Sequence, residues 1–82
     1  MKRTLLVNEI FDFCFEYGIF NKTEETKNAK VSIYHQLEDV VFVERFINLL
    51  IIKTKNRNDI DFEKLKMLLL ELERIRLELE YK

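Results

Sequence analysis

Apolar positions recur along this chain at helical spacings of three and four residues, in three separate stretches. In the first, Leu6, Ile10, Phe13 and Tyr17 form one stripe, Val7 and Cys14 flank it, and Phe11 and Phe15 carry the apolar arc past half the circumference. Asn8, Glu9, Asp12 and Glu16 gather on the remaining side. The spacing predicts a helix over about residues 5–17, with Thr4 as its starting cap. Gly18 followed by Ile19 reads as a left-handed C-terminal cap with an apolar residue behind it. Phe11, Phe13, Phe15 and Tyr17 also alternate with polar or small residues, as in a strand, but no partner strand follows, so helix is the preferred reading.

The second stretch begins after a polar run at 21–30, read as a loop or a solvated helical extension. Asn21 with Glu24 has the spacing of a capping box; otherwise Ser32 is the cap. Gln36, Val40, Val43, Ile47 and Leu50 then repeat at spacings 4-3-4-3, with Ile33, Leu37 and Ile51 beside them and Phe42, Phe46, Leu49 and Ile52 on the other side. This predicts one helix over about 32–54, apolar nearly all round and therefore central. The β-branched pair Val40-Val41 weakens helix there slightly.

Lys53, Lys55 and Arg57 put positive charge at the end of that helix, Asn58 and Asp59 make a turn, and Asp59 or Asp61 caps a third helix over about 60–81. Leu65, Leu68, Leu72, Ile75 and Leu79 follow at spacings 3-4-3-4, the seam of a bundle. Met67, Leu70, Leu77 and Tyr81 lie nearly opposite. A surface helix of a monomer has polar residues there. The second stripe is therefore read as an interface for a homodimer or another protein, with Phe11 and Phe15 assigned to the same kind of surface.

Composition narrows the alternatives. One Gly and no Pro leave few breaks and remove both hairpin signals and any glycine-rich phosphate loop. The 82 residues suit one domain, whose stability is marginal unless something such as oligomerisation supplements it. A formal net charge of -1, with seven acidic residues from Asp59 onward against five basic ones, argues against nucleic acid as the main partner. The apolar run 40–52 is too short to span a bilayer and contains Glu44, Arg45 and Asn48. No signal-peptide pattern follows Met1-Lys2-Arg3, so a soluble cytoplasmic protein with a reduced Cys14 is expected. Scarce Gly, Ala and Pro against many Lys, Asn, Ile and Phe fit AT-rich coding, common in phages and mobile elements.

Candidate chemistry is sparse. His35 stands alone, and Cys14 has no His near it in sequence. Glu44, among apolar neighbours, is expected to pair with Arg74 or Arg76, or to reach the surface. Asn56, Asn58, Asp59, Asp61 and Glu63 lack the glycine and terminal glutamate of a calcium loop and read as turn plus caps. Lys53, Lys55 and Arg57 with Lys22, Lys27 and Lys30 form a conceivable phosphate-contacting edge, read as solvated charge. No catalytic set, metal site or cofactor motif is visible.

The sequence thus predicts an all-α protein, a small bundle of three helices in a single domain, the third long and with two apolar faces. Its expected role is that of a cytoplasmic, non-enzymatic regulator, inhibitor or adaptor that binds another protein and self-associates as a homodimer or higher oligomer, plausible as a phage or mobile-element accessory. A nucleic-acid-associated regulator, a structural assembly subunit and a bacteriocin-immunity-type protein are the alternatives.

Overall fold

The computed structural model describes residues 1–20 and 26–81. Every regular element among the described residues is a helix: α1 (Arg3–Glu16), α2 (Thr26–Gln36), α3 (Val40–Thr54) and α4 (Phe62–Glu80). The all-helical expectation holds, but the count of three does not. The segment expected as one helix over 32–54 is broken at Leu37–Asp39, and α2 extends back through residues 26–30, part of the expected loop. Ser32 is an interior residue of α2 rather than its cap, and Asn21 and Glu24 lie outside the described residues.

The break has a local cause. The Asp39 side chain accepts a hydrogen bond from the Val41 backbone N–H at 2.9 Å, which satisfies one of the orphan donors at the start of α3. The Leu37 and Asp39 N–H groups donate back to Ile33 and Gln36 and close the end of α2. Leu37, between the two helices, is fully buried. One capping aspartate and one buried leucine therefore end a continuous apolar pattern without glycine or proline.

The other ends follow ordinary capping. Lys2, not Thr4, is the N-cap of α1, and no side chain caps it. At its C-terminus Gly18 has φ 71°, and the Gly18 and Ile19 N–H groups donate to the Phe15 and Cys14 carbonyls at 3.3 and 2.7 Å, the paired bonds of a Schellman motif. An added Cβ at Gly18 meets nothing within 4 Å, so Gly18→Ala acts through backbone conformation alone. It is expected to cost about 1–2 kcal/mol, read as a lower melting temperature with an unchanged helical spectrum. Asp61 caps α4 by accepting from the Lys64 N–H at 3.1 Å. Asp59 does not cap; it takes a bidentate contact from Arg57, whose Nε and Nη2 donate to it at 2.9 and 2.6 Å.

α4 packs against α3 and α1, and α2 packs against α1. Leu6, Ile10 and Phe13 of α1, Val43 and Leu50 of α3, and Leu65, Leu68, Leu72 and Ile75 of α4 meet in one core. The expected seam of the last helix is thus its buried face. A second layer is aromatic: Phe11 lies 5.4 Å from Phe15 and from Phe20, Phe20 lies 6.0 Å from Phe46, and Phe46 lies 5.8 Å from Phe42. These spacings suit offset and edge-on ring pairs. α3 is less central than its sequence suggests, since Val41, Ile51 and Ile52 are exposed.

A polar clasp joins the end of α1 to the α3–α4 turn. Arg57 Nη1 donates to the Tyr17 carbonyl at 2.7 Å, and the Asp61 N–H donates to the Tyr17 hydroxyl at 3.1 Å. Asn56, at φ 67°, makes the turn possible. Among the described residues no helix is long and apolar enough to cross a membrane.

Candidate protein-interaction surface

α4 is a firmly anchored support for a surface, because its seam residues Leu68 and Leu72 are wholly removed from solvent. On its outward side Leu70 is 61% exposed, Leu77 42% and Tyr81 85%. With Met67 these residues lie within an arc of roughly 80° and extend over about 21 Å at 1.5 Å per residue. Met67 sits at the edge, half-buried and packed against the core. Arg74 falls between Leu70 and Leu77 on the same line; its side chain is 65% exposed and lies 3.7 Å from Glu71.

The expected contribution of α1 to this surface is corrected by the packing. Phe11 is only 2% exposed and Phe15 is half-buried, because both belong to the aromatic layer they form with Phe20, and α2 packs against α1 beside Phe11. The Lys30 ammonium lies 5.7 Å from the Phe11 ring centre. A wheel drawn for one helix shows an apolar arc but not how many neighbours cover it.

The charges around α4 are ordered by local pairs. Arg76 bonds Glu73 at the (i, i+3) spacing and Glu80 at (i, i+4), the latter at 2.7 Å. The Arg76 guanidinium holds the Glu73 carboxyl below its ordinary range. Lys64 pairs with Glu9 of α1, which raises the lysine pKa. Arg57 lowers the pKa of Asp59 in the same way. The small stability these exposed carboxylates contribute is present above their unfolded pKa and lost as pH falls through the depressed folded value.

Glu44 is exposed and lines a shallow cleft with Ile47, Asn48, Glu73 and Arg76. His35 is exposed, its ring edge-on to Tyr34 at 5.6 Å. Of the candidate basic edge, Arg57 is engaged by Asp59 and Tyr17, Lys30 by the Phe11 ring, and Lys53 and Lys55 are exposed. Lys22 and the Lys27 side chain lie outside the described residues. No group of three or more His, Cys, Asp and Glu among the described residues is arranged to hold a metal ion.

Sequence reasoning missed a groove of about 310 Å³ between α1 and α2, lined by Thr4, Val7, Asn8, Lys30, Val31 and Tyr34. Reading 21–30 as a loop or a solvated extension gives that segment no packing face and leaves the groove out. The signal was the (i, i+3) pair Val31 and Tyr34, which share a face once α2 starts early.

Cys14 is buried, and desolvation pushes its thiol from 9.0 up to about 12. Alkylation at pH 8 is expected to proceed only as fast as the chain unfolds, which a labelling time course measures. Since the folded pKa is raised, the associated stability is fully present below 9.0 and is lost as pH rises toward 12. Melts across that window are expected to fall more steeply for the wild type than for Cys14→Ala.

No protein-family model matches the chain, and neither the curated proteins nor the solved structures contain a match to it.

Proposed function

We propose that the protein is a small non-enzymatic regulator, inhibitor or adaptor that acts by binding a protein through the outward face of α4, occluding or stabilising the surface it covers. The observation that carries this reading is the double character of α4. Leu65, Leu68, Leu72 and Ile75 already dock the helix, yet Leu70, Leu77 and Tyr81 remain in solvent on the other side. Single exposed apolar residues are ordinary, but a line of them on one rigid helix is the chemistry of an interface. Arg74 within the line suits a partner that presents a carboxylate beside its own apolar groups.

The test is Leu70→Glu combined with Leu77→Glu. Both positions are exposed, so folding is expected to change by less than about 0.5 kcal/mol per site. Cross-linking in producing cells is expected to capture a defined protein with the wild type and to lose it with the double variant. Equal capture by both chains would overturn the reading. Duplex DNA binding that falls steeply with salt would replace it by a nucleic-acid role, since phosphate contacts release counterions.

A further inference from the structure

We infer that the partner of this face is a second copy of the chain, with the two α4 helices packed antiparallel about a two-fold axis near residues 73 and 74; the inference rests on the protein-binding reading above and names its partner. A two-fold interface uses the same patch on both subunits, so the patch must fit itself when turned end for end. The line Met67, Leu70, Arg74, Leu77, Tyr81 has that property. Its spacings are 3-4-3-4 and read 4-3-4-3 in reverse, so an axis between residues 73 and 74 places Leu70 opposite Leu77 of the second copy and Met67 within one residue, about 1.5 Å along the helix, of its Tyr81.

The flanking charges fit the same reversal. Lys66 and Glu80 lie on one edge of the line, and the antiparallel register brings Lys66 of each copy beside Glu80 of the other, whose carboxylate Arg76 of its own helix also holds, twice in the dimer. Arg74, close to the axis, falls between Glu71 and Glu78 of the second copy, which compensates its approach to the second Arg74. Glu73 meets its own counterpart near the axis, but its charge is already held by Arg76. A parallel pair would set each Arg74 level with its counterpart and Glu80 beside Glu78, with no Lys66–Glu80 pair.

Sedimentation of the full chain over a wide concentration range, combined with single-cysteine cross-linking, tests this. The native Cys14 is buried and does not interfere. The wild type is expected to reach a dimer, and Leu70→Glu with Leu77→Glu to stay monomeric at every concentration. Arg74→Cys, near the axis, is expected to cross-link to itself. Met67→Cys and Tyr81→Cys are expected to cross-link when mixed and not alone. Lys66→Glu is expected to weaken dimerisation roughly three- to tenfold, and adding Glu80→Lys to restore it. A monomeric wild type, self-cross-linking at 67 and 81, or a charge swap that restores nothing would overturn the proposal. None of these touches the broader protein-binding reading, which fails only if the double glutamate variant keeps wild-type capture.

Discussion

Leu72→Glu is expected to leave the chain unfolded at room temperature. Leu72 is fully buried in the seam of α4, between the side chains that α1 and α3 contribute to the core. Truncating such a leucine costs about 2–5 kcal/mol before any charge is introduced. A carboxylate there must also lose its hydration without a partner, or be protonated against its ordinary pKa, which adds several kcal/mol. The whole folded state of a small domain is worth only about 5 kcal/mol or little more. The far-ultraviolet helical signal should therefore collapse, with no cooperative melt. The same substitution two residues earlier, at Leu70, meets solvent, and its helical spectrum is expected to match the wild type. A folded Leu72→Glu chain would show that the seam is not the core.

Phe13→Ala is expected to produce the second largest loss. Phe13 is 1% exposed and its ring lies 4.8 Å from that of Tyr17. Removing a buried phenylalanine costs about 3–5 kcal/mol, part transfer and part cavity. At about 4–8 °C per kcal/mol for a domain of this size, the melting temperature should fall by at least ~12 °C. The loss should exceed that volume alone implies, because Tyr17 also accepts from Arg57 and Asp61 and loses its packing neighbour. Thermal denaturation of Phe13→Ala beside Phe62→Ala, an exposed phenylalanine, checks this: a small shift at 62 and a large one at 13 are expected.

The long-period features of this fold are legible in its sequence. The spacings of Leu65, Leu68, Leu72 and Ile75 identify the buried face of α4, and those of Leu70, Leu77 and Tyr81 its exposed one. Gly18 marks its cap because only a left-handed residue ends a helix that way cheaply. The break before α3 was hidden because apolar periodicity runs straight through it, and its signal is one aspartate ahead of two β-branched residues. Phe11 departs from its expected exposure for a different reason. Burial on α1 depends on where α2 lies, and a covering contact between elements leaves no mark in the spacing of either one alone.

The way α2 is held has a consequence for motion. None of its described side chains, residues 28–36, is buried; the first fully buried residue is Leu37, just beyond its end. Its grip on the molecule is a half-buried fringe of Ala29, Lys30 and Ile33. Amide exchange should therefore sort the chain into two tiers. Protection in α2 should be set by a local opening far below the global free energy, while the interior amides of α4 should exchange only with complete unfolding. Each such opening is expected to wet the Phe11 ring, over which Lys30 lies, without melting the core beneath it.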